Sequence, residues 1–79
     1  MEYEELWTME DAITTAVNAT GKEIWDLQFD HKSGIIRLEL CEHLEEDEQA
    51  ILIAHLTQNA DYEGEGNHGS VFNIYLQDA

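Results

Sequence analysis

Apolar positions along this chain change period twice, and the changes divide it into elements. Leu6, Met9, Ile13, Ala16 and Val17 recur at helical spacing. Thr8, with Asp11 three residues later, has the form of a capping box, and Gly21 stands where a helix C-cap takes glycine. The spacing predicts a first helix over 9–20, which the preceding acidic segment can extend. From Glu23 the period is two. Trp25, Leu27 and Phe29 alternate with Asp26, Gln28 and Asp30, the pattern of a half-buried strand. Residues 30–34 read as a tight hairpin loop, with Gly34 able to take a positive φ. In the returning strand Ile36, Leu38 and Leu40 alternate with Arg37, Glu39 and Cys41.

Four consecutive acids, Glu45, Glu46, Asp47 and Glu48, open a second helix, where the positive end of the helix dipole favours them. Its expected buried stripe is Leu52, Ile53, Leu56 and Ala60, with Leu44 packing at its start. Segment 50–56 also suits a buried strand, but the leading acids and the segment's length favour helix. Segment 61–69 holds three glycines and three acids and reads as an exposed, mobile loop. Phe72, Ile74 and Leu76 then alternate with Val71, Asn73, Tyr75 and Gln77 in a third strand.

The order α-β-β-α-β predicts one α+β domain over 1–79. Its expected form is a three-stranded antiparallel or mixed sheet with two helices on one face. The opposite face would carry Ile24, Asp26, Asp30, Ile35, Arg37, Glu39, Val71, Asn73 and Tyr75. Such a mixture of apolar and acidic side chains suits a partner surface or a homodimer, and equally a set of scattered surface apolars without a role.

Size and composition limit the fold further. A chain of 79 residues buries only about 60% of its unfolded surface, so its stability margin is thin. Its hydrophobic content of 43%, with two Trp, three Tyr and two Phe, still sets it apart from disordered acidic tails.

Charge changes the picture most. Eighteen Asp and Glu face only Lys22, Lys32 and Arg37, for a net charge of -15. Beyond Arg37 ten acids follow, with no Lys or Arg. Such an imbalance makes a small fold repel itself, a cost that points to a use. Its sign excludes nucleic acid and anionic membrane as direct ligands, and a basic partner is expected. Cys41 is the single cysteine, which excludes an internal disulfide and a cysteine-built zinc site. The first five residues lack the basic start and apolar run of a secretion signal, and no apolar stretch has membrane-spanning length. The expected location is cytoplasmic.

Candidate chemistry is sparse. Asp61, Glu63, Glu65 and Gly66 match positions one, three, five and six of a calcium loop. Its twelfth position, which needs a bidentate carboxylate, is Phe72, so no metal is expected. Cys41 and His43 sit two apart, yet no orienting group or oxyanion motif accompanies them. Acidic surroundings would raise that thiol's pKa, and a partly buried structural cysteine is expected. His43 with Glu46 and Asp47 has no metal-ligand spacing, and His55 reads as a helix-surface or rim histidine. The sequence predicts no enzyme and no cofactor.

The acids that remain fall into groups. Glu42, Glu45, Glu46, Asp47 and Glu48 form one; Asp61, Glu63 and Glu65 a second; Asp26, Asp30 and Glu39 share a sheet face. Strand neighbours on one face lie about 6.6 Å apart, against roughly 3.4 Å between phosphates along one DNA strand. Carboxylates so spaced on a rigid fold can occupy a basic channel built for phosphates. By size, charge and runs such as Glu45 to Glu48, the chain resembles the small acidic phage-encoded DNA mimics, notably anti-CRISPR proteins. That resemblance implies a partner in a CRISPR effector complex of the bacterial host, blocked where it reads DNA or the protospacer-adjacent motif. The alternative is an acidic adaptor or antitoxin-like module that binds through its exposed sheet face.

Overall fold

The computed structural model describes residues 3–30, 32–56 and 58–75, with side chains from residue 9 onward. Two helices and four strands follow in the order α1 (Tyr3–Ala19), β1 (Ile24–Asp30), β2 (Ile35–Leu40), α2 (Glu46–His55), β3 (Asn59–Glu65) and β4 (Ser70–Tyr75).

Helix α1 begins ahead of residue 9, so Thr8 and Asp11 lie inside it and do not cap its start. The Leu6 side chain lies outside the described residues. The helix ends where glycine was expected. Gly21 takes φ 78°, its N–H donates to Asn18 O at 3.0 Å, and the Lys22 N–H donates to Val17 O at 3.2 Å. These two bonds are the pair of a Schellman cap.

Helix α2 starts on its acids. The Glu45 backbone N–H donates to Glu48 Oε1 at 3.1 Å, and Glu46, Asp47 and Glu48 fill the first turn at the positive end of the dipole. The helix stops at His55, and the Leu56 N–H is shared by the carbonyls of Leu52 and Ile53. Ala60 is therefore not on α2. It belongs to a strand absent from the sequence reading.

That strand is the main correction. The sheet has four strands in the order β1-β2-β4-β3, every neighbouring pair antiparallel. Much of the expected loop 61–69 is β3, paired along β4 with Ala60 opposite Ile74 and Tyr62 opposite Phe72. Asn, Asp, Glu and Gly have poor strand propensity, which hid the alternation of Ala60 and Tyr62. At a sheet edge those residues are tolerated, and their charge discourages pairing with other chains. A bulge between Tyr62 and Gly64 uses Gly64 at φ 150°. Leu76 and Gln77, expected in the last strand, lie outside the described residues.

One face of the sheet meets both helices. Ile13, Ala16 and Val17 of α1 and Leu52 of α2 join Leu44, Leu56, Ile36, Leu38, Leu40, Phe72 and Ile74 in a single core. Edge strand β1 adds the partly buried Ile24, Leu27 and Phe29. A second bulge, between Ile24 and Asp26, reverses the expected facing at the start of β1. Ile24 pairs with Leu40 on the core side, and Trp25 leaves the core to stand 55% exposed.

Candidate functional site

The pairing register lays the helix-free face out in rows. Asp30, Ile35, Tyr75 and Asn59 form the first across the four strands; Gln28, Arg37, Asn73 and Asp61 the second; Asp26, Glu39, Val71 and Gly64 the third. Glu63, in the β3 bulge, turns onto this face as well. Arg37 Nε donates to Glu63 Oε2 at 3.2 Å, Asn73 Nδ2 donates to Glu63 Oε1 at 3.1 Å, and Arg37 Nη1 lies 3.8 Å from Glu39 Oε1. Five carboxylates (Asp26, Asp30, Glu39, Asp61 and Glu63) thus share one sheet face with a single guanidinium, which pairs with Glu39 and Glu63, on strands about 4.8 Å apart.

One end of this face is closed by the β3–β4 turn. Gly66 N–H donates to Gly69 O at 2.8 Å, and the turn brings His68 over Glu39. The His68 backbone N–H donates to Glu39 Oε2 at 2.9 Å, and its ring Nδ1 lies 3.2 Å from the same oxygen. The imidazole stacks on Trp25 with centroids 3.8 Å apart and planes 15° from parallel. The Glu39 side chain is only 11% exposed. The His68 N–H, with smaller help from the His68 ring and Arg37, holds its carboxyl below the usual range despite burial.

Glu65 points to the other side of the sheet, opposite Ser70. It accepts hydrogen bonds from the Tyr62 hydroxyl and from Ser70 Oγ, and His43 Nδ1 lies 2.5 Å from its Oε1. Ser70 in turn accepts the Leu44 N–H at 2.8 Å. The Tyr62 bond is the largest cause that lowers the pKa of Glu65. Serine, carboxylate and histidine meet here, but with the carboxylate between the other two. A serine nucleophile needs the histidine in contact with it, and Ser70 is fully buried. This cluster braces the turn.

A third network ties α2 to the α1–β1 junction. Lys22 Nζ lies 2.6 Å from Glu48 Oε2 and 3.6 Å from Glu42 Oε1. Lys22, and then the Glu45 N–H, lower the Glu48 pKa.

The sequence-derived acids therefore divide. Asp26, Asp30, Glu39, Asp61 and Glu63 share the open face. Glu42, Glu45, Glu46 and Asp47 are exposed around the start of α2, Glu48 is half-buried there, and Glu65 faces the helix side. Asp61, beside the Tyr75 hydroxyl, raises the Tyr75 pKa. The calcium-loop match does not become a site, because strand β3 sends Asp61 and Glu63 to one face and Glu65 to the other. Among the described residues no group of three or more His, Cys, Asp or Glu is placed to hold a metal ion. Cys41 is exposed, not partly buried as expected, while His43 Nδ1 is taken up by Glu65. His55 is on the surface of α2, its Nδ1 2.9 Å from Ile51 O. Among the described residues no helix is long and apolar enough to cross a membrane.

No protein-family model, curated protein or solved structure matches this chain. Its function must be read from these side chains. Sequence reasoning missed Trp25, His68, Tyr62 and Ser70. The one available signal was the adjacent Ile24 and Trp25, two large apolar residues where strict alternation turns only one inward.

The carboxylate networks have a pH consequence. Glu39, Glu48 and Glu65 all have folded pKa values below the ordinary 4.5. A depressed carboxylate pKa contributes stability above the unfolded value, and that stability is lost as pH falls through the folded value. The urea midpoint should therefore hold from pH 7 to about 5 and drop as pH falls below about 4.5. Glu65→Gln should lower the midpoint at pH 7 and shrink this drop. An unchanged acid limb in the variant would remove Glu65 from the account.

Proposed function

We propose that this chain is a non-enzymatic inhibitor whose acidic surface occupies a basic, nucleic-acid-binding surface on another protein. The observation that carries the reading is the helix-free face, where the register places five carboxylates and one arginine, in a chain of net charge -15. Open sheet faces of small domains are ordinarily balanced in sign, and surplus charge of this size costs folding stability. Exposed Glu42, Glu45, Glu46 and Asp47 extend the negative surface around the start of α2. A basic channel would exchange its bound anions for these carboxylates, giving rapid and salt-sensitive association. The resemblance to phage-encoded DNA mimics makes a CRISPR effector complex the first partner to try.

The test is competition. Added protein should displace labelled target DNA from the effector complex at 0.05 M salt and lose most of that power at 0.5 M. Undiminished DNA binding, with no complex on gel filtration, would sink this partner. The adaptor reading rests on a different observation, the direct pairing of half-buried Ile35 and Tyr75 in the first row. It requires salt-insensitive binding that Ile35→Ala weakens more than loss of charge does.

A further inference from the structure

We infer that Trp25 is a docking platform for an arginine side chain of a basic protein partner, a claim that rests on the acidic-surface reading above and locates its anchor. A Trp at the second position of an alternating strand belongs in the core, where its area contributes most. Here the β1 bulge turns it out, so the ring is 55% exposed on a small domain with little apolar area to spare. Bulges recur where a side chain is re-aimed for use.

The ring is exposed but not loose. One face stacks on the His68 imidazole, and His68 is itself fixed by two contacts to the buried Glu39 carboxylate. Apart from His68, no ring contact or hydrogen bond of Trp25 is present among the described residues, and more than half of the residue stays accessible to a ligand. Holding the indole in one rotamer removes an ordering cost that an exposed aromatic ordinarily carries on binding.

Charge selects the occupant. Asp26 shares the bulge with Trp25, and the buried Glu39 carboxylate beneath His68 adds to the negative potential there. An anionic or neutral apolar ligand would meet carboxylates at this rim, whereas a cation is favoured both by them and by the indole quadrupole. A planar guanidinium stacks on indole while its edge donates to a carboxylate, a geometry that an ammonium does not reproduce. Surfaces that bind phosphate backbones are rich in arginine, so the partner this site fits is an arginine-bearing protein segment.

Hexa-arginine and hexa-lysine peptides, equal in charge, are the probes. They are titrated at low salt against the intact chain, with binding read by calorimetry. The Trp25 indole N–H resonance, assigned by its loss in Trp25→Leu, reports on the site. Hexa-arginine should bind about 2- to 5-fold more tightly than hexa-lysine, the size of a cation–π contact at an exposed position. It should also shift the Trp25 indole signal, and Trp25→Leu should reduce its affinity to that of hexa-lysine. Equal affinities, with Trp25→Leu unchanged, would overturn the platform and leave the charge reading standing. If neither peptide binds, the basic-partner reading fails together with the platform. Trp25 is largely solvent-exposed, so the variant should keep the wild-type circular dichroism spectrum.

Discussion

Gly69→Ala should destabilise this protein by about 3 kcal/mol, enough to unfold a substantial fraction of so small a domain at room temperature. A Cβ at Gly69 would collide with the carbonyl oxygens of Leu40 and Glu42 and with the Glu42 nitrogen. All three are backbone atoms that cannot rotate aside. Gly69 is buried at the point where the β3–β4 turn crosses the exit of β2, and the next residue's N–H donates to Glu42 O at 3.0 Å. Moving either strand end apart to admit a methyl group would also break the Ser70 contacts to Leu44 and Glu65. Urea denaturation followed by circular dichroism measures the effect, with exposed Asn67→Ala as a control that should stay within about 0.5 kcal/mol of wild type. A Gly69→Ala protein as stable as the control would mean that the turn does not pack as described.

Neutralising Asp26, Glu42, Glu45, Glu46, Asp47 and Asp61 together, by Glu→Gln and Asp→Asn, should weaken binding to a basic DNA-binding partner by at least about 100-fold at low salt. The choice follows from the side-chain networks. Glu39, Glu48 and Glu65 accept hydrogen bonds from His68, Lys22 and Ser70 within the fold, and Glu63 joins Arg37 to Asn73. Removing those four would damage the fold and confuse the result. The six chosen residues make lesser internal contacts, such as the Gln28 bond to Asp26 at 2.8 Å and the longer Lys22 pair with Glu42. A 100-fold loss is about 2.7 kcal/mol, under half a kcal/mol for each charge removed, which is modest for a complementary interface. The gap between wild type and variant should close as salt rises to 0.5 M, because the Debye length falls to a few ångströms. Affinity that is unchanged by six neutralisations would end the mimicry reading, provided the thermal melt shows the variant folded.

These two variants probe different kinds of information in the chain. The acidic surplus was plain in the sequence, because charge is a sum over residues and needs no coordinates. The hairpin of β1 and β2, the capped end of α1 and the acid-led start of α2 were also legible, since each depends on residues within a few positions of one another. Leu38 and Phe72, on neighbouring strands, took the inward side that their alternation required.

What the sequence left undecided depends on contacts between distant residues. Asn59 to Glu65 has weak strand propensity and becomes β3 only because β4 offers a free edge to pair with. Ile24 and Trp25 compete for one inward place, and the bulge that settles it is a property of the β1–β2 ladder. The division of labour among the acids is likewise tertiary. Glu39 and Glu65 look like any other surface carboxylate in sequence, yet His68 and His43, 29 and 22 residues away, draw them into bracing the fold. The sequence by itself determined that this protein's surface attracts cations, because a net charge of -15 fixes the sign of its field. Only the tertiary structure decided which carboxylates are free to do so, because strand pairing commits some of them to hydrogen bonds within the fold.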